Sequence, residues 1–273
     1  MADLTVVRAD RWVDVDAGEV RSPAVIVVEG NRIAAVNPAE VPTPATEVEL
    51  GDVTLVPGLM DMEINMLLGG PGAGLMHGVQ DDAVYRTLRG IVNCRTTLLA
   101  GFTTVRNLGL FVKTGGYLLD VSLARAIENG WVDGPRIIPA GHAITPTGGH
   151  LDPTMFQRFA PGVLPLSVEE GIANGISEVR KAVRYQIKYG AKVIKISASG
   201  GVMSHSTAAG AQQYSDDELE AIVDEAHRAG IRVAAHAHGD SGIRACIRAG
   251  VDCIEHGSLA SDDTIRMMVE HGT

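Results

Sequence analysis

In four short stretches of this 273-residue chain, side chains able to bind a metal or move protons stand at the ends of apolar runs. They are "MDMEIN" with Glu63 and Asn65, "VIKISASGG" with Lys195, "VAAHAHG" with His236 and His238, and "IEHG" with His256. A single histidine at the end of an apolar run is ordinarily a hydrogen-bonded structural residue. Two on one face of a run, with a third closing the next run, shift that balance toward a ligand set. Neutral imidazole is the commonest protein ligand for zinc-type ions, and donors gathered from neighbouring strands leave a coordination position open to water. Lys195 stands between Ile194 and Ile196, where a charged amine is costly. Either its pKa falls, or its amine is modified, or it pairs with a carboxylate such as Glu63. Asp61, Glu63 and Asn65 alternate, so they share one face of an extended segment. That face is a changed metal site, an inactive one, or the wet side of a strand.

Side chains from separate runs meet only if the runs lie side by side. Residues 1–55 alternate apolar and polar in period two, with Gly30-Asn31 as a hairpin turn, and predict a small N-terminal β-sandwich-like unit. From residue 56 to 273 short apolar runs alternate with helical patterns. Six strand–helix units in succession predict a parallel sheet with right-handed crossovers. The fold class is therefore α/β, an incomplete (β/α)8 TIM-like barrel truncated after its sixth unit. One helix is expected over "SVEEGIANGISEVRKAVRYQIKYG", starting at a Ser167/Glu170 capping box, and another from the Ser215/Glu218 box. Gly190 and Gly230 fall where helices stop.

In such a sheet the C-terminal strand ends form one mouth. Glu63, Asn65, Lys195, His236, His238 and His256 all fall there. The stretches "TPTGGHLDP", with His150, and "GGVMSHSTAAGAQQYS", with His205 and Tyr214, follow strands three and four and open at the same mouth. They either touch substrate or hold their own loops together. His77, His142, His227 and His271 have no partner pattern and are assigned surface or structural roles.

A net charge of −10, with no basic cluster, argues against a nucleic-acid partner. The N-terminus lacks a signal pattern, and no run approaches eighteen apolar residues, which predicts neither export nor a membrane span. Cys94, Cys246 and Cys253 are odd in number and sit in periodic apolar contexts, as reduced core thiols of a cytoplasmic protein do.

The order "VPGL-D-x-x-x-N", "VIKI-ASGG", "VAAHAHG", "IEHG" resembles the amidohydrolase superfamily, and within it the imidazolonepropionase-like and prolidase-like hydrolases of C–N bonds. The resemblance implies a metal-dependent hydrolase acting on an amide, carbamate, urea or cyclic amide of a small-molecule substrate. It makes Lys195 a carbamate formed with carbon dioxide, and His236 and His256 metal ligands. His238 becomes a catalytic or substrate-facing neighbour. Two departures follow from the same resemblance. Glu63 and Asn65 stand where a His-x-His pair is usual, and the eighth-strand aspartate has no counterpart in these residues. The first departure is shared in outline with the mononuclear molinate and phenylurea hydrolases. Lys195, His236 and His256 still offer three donors, so one divalent ion per chain is expected, zinc by ligand type, with Glu63 and Asn65 beside its water or the substrate. The alternative is a non-catalytic fragment that keeps the mouth as a binding or assembly surface. Unpaired sheet edges also predict a homo-oligomer.

Overall fold

The computed structural model describes residues 4–69, 80–155, 160, 162–202, 204 and 208–273. His77 and His205 lie outside the described residues. The chain divides into two compact units, Met1–Leu59 and Met60–Thr273. In the first, strands Arg32–Val36, Ala24–Glu29, Leu4–Ala9 and Thr46–Glu49 form one sheet in that order. Glu19–Arg21, Arg11–Asp14 and Thr54–Leu55 form a second. Gly30, at φ 59°, makes the expected hairpin turn between Ala24–Glu29 and Arg32–Val36.

The second unit is α/β. Its strands are β1 (Leu59–Ile64), β2 (Phe102–Asn107), β3 (Arg136–Pro139), β4 (Val193–Ser197), β5 (Arg232–Gly239) and β6 (Cys253–Leu259). The helices are α1 (Ala83–Leu99), α2 (Leu119–Glu128), α3 (Gly175–Lys188), α4 (Asp216–Arg228), α5 (Asp240–Ala249) and α6 (Asp262–His271). The strands form two three-stranded sheets, β1-β2-β3 and β4-β5-β6, in chain order. The β2–β3, β4–β5 and β5–β6 pairs are parallel. The two sheets are stitched together beyond β3, where Lys192 N–H donates to Pro139 O, Ile144 N–H to Lys195 O and Ser197 N–H to Ile144 O.

In a flat sheet β1 and β6 would stand about 24 Å apart, five strand spacings. Yet His256 Nε2 on β6 lies 3.4 Å from Glu63 Oε1 on β1, and Arg106 on β2 reaches Glu255 on β6 at 2.6 Å. The sheet therefore curls until side chains from its two edge strands meet. It does not close, because β1 and β6 each pair on one side only among the described residues. Outside the curl, the side chains of α3, α4 and α5 pack with Ile144, Ile194, Ile196, Val233, Ala235 and Ala237 into the larger core.

The helix expected from Ser167 is broken. Ser167 makes no side-chain cap bond, Val168–Glu170 is a single 3-10 turn, and α3 begins only at Gly175. Gly171 turns the chain at φ 88°, where a Cβ would lie 2.0 Å from Ala143 O. Glu170, instead of closing a capping box, is buried and accepts the N–H groups of Thr114 and Gly115 at 2.9 Å each. The tertiary pairing overrode the local signal. At Ser215 the box does form, with Glu218 reciprocating. Gly190 and Gly230 stop α3 and α4 with φ of 108° and 70°.

Candidate active site

Alternation on β4 turns Lys195 away from the helices, and its register partner on β5 is Ala234. Two residues further, Ser197 pairs with His236, so Lys195 and His236 face into the curl from neighbouring strands. Glu255 pairs with His236 across β5–β6 and points the same way. His256 is paired with Ala237, a residue on the helix side, so in a regular strand its ring would leave the site. Its backbone prevents that. His256 adopts φ 71° and Gly257 φ 60°, and the β5–β6 register slips between Ala237 and Gly239. A left-handed non-glycine residue costs roughly 1–3 kcal/mol and persists where the surroundings enforce it. Here the bulge swings the imidazole to 4.8 Å from the rings of both His236 and His238.

The ring nitrogens of His236, His238 and His256 that could serve as ligand atoms all lie within 4.8 Å of one another. His150 stacks on His236 with centroids 4.1 Å apart, and its Nδ1 meets Ser204 Oγ at 2.7 Å. The backbone N–H of His150 donates to Gln213 Oε1, which also accepts the Ser197 hydroxyl. Leu151, next to it, takes φ 78°. Lys195 Nζ lies 3.4 Å from Glu63 Oε1, the same oxygen that faces His256 Nε2.

Burial holds the His236 imidazole neutral, its pKa lowered to about 2, with the neighbouring His150 and Lys195 adding to the effect. His150 is lowered to about 4, first by desolvation and then by His238. Burial also lowers the Lys195 amine, while Glu63 and Glu255 pull the other way. Neutral imidazoles are the form that binds metal. Among the described residues, buried His236 Nε2 has no hydrogen-bond partner. An orphaned buried nitrogen in a ring of imidazoles fits a site built for a cation.

These groups line a cavity of about 450 Å³, a size suited to a small molecule. Glu63, Asn65, His150, Lys195, His236, His238 and His256 supply its polar side, and Leu68, Leu108, Phe111, Leu151 and Val202 its apolar wall. Asn65 lines it from one residue beyond β1.

Tyr214 is not at the cavity. It is 1 % exposed, belongs to the core beneath α3 and α4, and donates its hydroxyl to Ala173 O. Its place at the end of a polar loop suggested substrate contact, but an aromatic ring at the start of a helix buries more surface than it exposes. His142 is buried against Thr114 Oγ1 at 2.8 Å, and His227 pairs with Asp252 at 2.8 Å, both structural.

The sequence profile of the amidohydrolase family matches residues 54–273. The chain belongs to this family. Ochratoxinase from Aspergillus niger is 35 % identical over 99 % of this chain and 58 % of its own length. A crystal structure of a Xaa-Pro dipeptidase with bound methionine superposes with a TM-score of 0.88 at 34 % identity, covering 99 % of this chain and 66 % of that one. The A. niger ochratoxinase structure gives 0.84 at 32 %, over 99 % and 64 %. Molinate hydrolase, at 20 % identity and a TM-score of 0.75, shares the fold. The chain thus spans about 60 % of the length of these amidohydrolase relatives.

Three polar side chains near the cluster were not singled out in the sequence. Arg106 and Glu255 form an ion pair beside Cys253 inside the curl, and Ser258 Oγ sits 3.0 Å from His238 Nδ1. Inward alternation of "TTVRN" and "CIEHGS" carried the signal for the first two. For Ser258 there was none, because the bulge that aims it is not written in period two.

Among the described residues, no helix is long and apolar enough to cross a membrane.

Proposed function

We propose that this chain forms the catalytic face of a metal-dependent hydrolase of amide-type C–N bonds in small molecules. The observation that carries the reading is the ring of three imidazoles, with one orphaned nitrogen, at the floor of a cavity. One zinc-type divalent ion per chain would be held by His236 and His256 with a third donor. Such an ion supplies a water activated near neutral pH and a Lewis acid for the carbonyl oxygen.

The chain's own residues do the rest. Glu63, aimed into the cavity between Lys195 and His256, accepts the proton of the attacking water on a carboxylate oxygen and returns it to the departing nitrogen. His150, held through Nδ1 by Ser204, and Asn65, one residue beyond β1, line the cavity where the substrate would sit. Leu68, Phe111, Leu151 and Val202 exclude water from the apolar part of an acyl or amine group. The similarity to an ochratoxinase and a Xaa-Pro dipeptidase puts ochratoxin and Xaa-Pro dipeptides among the substrates to try first.

In one form of the proposal the third donor is Lys195, its amine converted by carbon dioxide to a carbamate. In a second form, favoured by the position of His238, the third donor is that imidazole. Zinc-loaded protein assayed against a panel of N-acyl amino acids, carbamates and phenylureas should hydrolyse at least one class. A chelator should abolish the activity and zinc should restore it. Hydrolysis undiminished by the chelator would overturn the metal reading.

A further inference from the structure

Resting on the metal reading above, we propose that His238 is the third metal ligand, so that the ion sits on three imidazoles and Lys195 remains an amine. His236 and His238 stand two residues apart on β5 and point the same way, and His256 swings across from β6. Around a tetrahedral ion with metal–nitrogen bonds of about 2.0–2.1 Å, imidazole donors sit roughly 3.3 Å from one another. The three donor atoms, now within 4.8 Å of one another, need close by about 1.5 Å at most to meet that geometry.

The His238 ring is already oriented for this. Its Nδ1 lies 3.0 Å from Ser258 Oγ, which leaves Nε2 for the cluster. Ligating histidines characteristically give their other nitrogen to a second group that fixes tautomer and ring angle. Ser258 reaches that position because β6 bulges between the residues facing Ala237 and Gly239, the same irregularity that turns His256 inward. One backbone device therefore aims a ligand and anchors its neighbour.

Lys195, by contrast, is engaged elsewhere. The first strand supplies Glu63 in place of an imidazole, and Glu63 Oε1 lies 3.4 Å from Lys195 Nζ. As an amine, Lys195 complements that carboxylate. As a carbamate it would put a second anion beside Glu63, an arrangement that costs free energy inside a low-dielectric pocket. The change at Glu63 and the recruitment of His238 are then two halves of one alteration.

The test is a competitive zinc titration of the purified 273-residue chain against a chromophoric chelator, with cobalt substitution to read coordination by visible absorption. His238→Gln should weaken zinc binding at least 100-fold and alter the cobalt spectrum, and Ser258→Ala should weaken it about 10- to 100-fold. Lys195→Met should leave affinity and spectrum near those of the parent. Labelled bicarbonate should give no carbamate carbon resonance in the parent chain. If His238→Gln binds zinc like the parent while Lys195→Met loses it, the third donor is the carbamate, and this inference falls while the metal reading stands. If the parent chain binds no zinc, the metal reading itself falls. Circular dichroism checks that each variant is folded, and Ser258→Ala carries the test should His238→Gln fail that check.

Discussion

The packing of His150 makes a quantitative prediction at Gly201. A Cβ there would lie 2.3 Å from Cε1, 2.4 Å from Nδ1 and 2.7 Å from Nε2 of the His150 ring. Ordinary contact would require the ring to retreat by about 1 Å, since packed carbons sit roughly 3.5–4.0 Å apart. It has nowhere to go. The His236 ring lies with its centroid 4.1 Å away, and Ser204 Oγ holds Nδ1 at 2.7 Å. Overpacking of this kind typically costs about 1–3 kcal/mol, so Gly201→Ala should destabilise the second unit by that amount. Removing the obstructing ring should remove the penalty: in a His150→Ala background Gly201→Ala should cost less than about 0.5 kcal/mol, a coupling of about 1–2 kcal/mol. Urea unfolding followed by far-ultraviolet circular dichroism is the assay, because every α-helix among the described residues lies in the second unit. Additive effects of the two substitutions, or a Gly201→Ala chain as stable as the parent, would refute the stacked arrangement of Gly201, His150 and His236.

Asp120 accepts N–H groups from Asn107, Gly141 and Val121 and is wholly buried; Asp120→Ala should destabilise by about 3 kcal/mol in the same assay, through donors left unpaired. Buried His142 stays neutral to about pH 4, whereas the unfolded chain protonates near 6.5. The unfolded state therefore binds the extra proton between those values, and stability falls as pH drops from about 6.5 toward 4, by up to about 3 kcal/mol from this residue. His142→Gln should flatten that part of the stability–pH curve, and an acid-side curve parallel to the parent's would contradict it. Tyr214→Phe should cost about 1 kcal/mol, by loss of the bond to Ala173 O, and leave KM unchanged. A KM effect without loss of stability would put Tyr214 back at the substrate.

Much of this was legible because the signals are local and periodic. The six strands and their helices fell where apolar runs alternate with 3.6-residue patterns, and Lys195, His236 and Glu63 follow from period-two alternation on β4, β5 and β1. What escaped depends on tertiary context. Glu170 reads as a capping residue until Thr114 and Gly115 claim its carboxylate. Tyr214 reads as a loop residue until α3 and α4 close over it. His256 was assigned to the site through its motif, yet strict alternation from its partner Ala237 would have sent it to the helix side. Only the left-handed backbone at His256 and Gly257 brings it back, and no propensity encodes that.

The central claim, one ion on the imidazole ring formed by β5 and β6, is tested most directly by elemental analysis of the zinc-loaded, desalted chain. The account predicts about one zinc per chain, from the three-donor count of a catalytic site, and none when His236 and His256 are both changed to alanine. Two tightly held equivalents, or one equivalent surviving that double change, would contradict it.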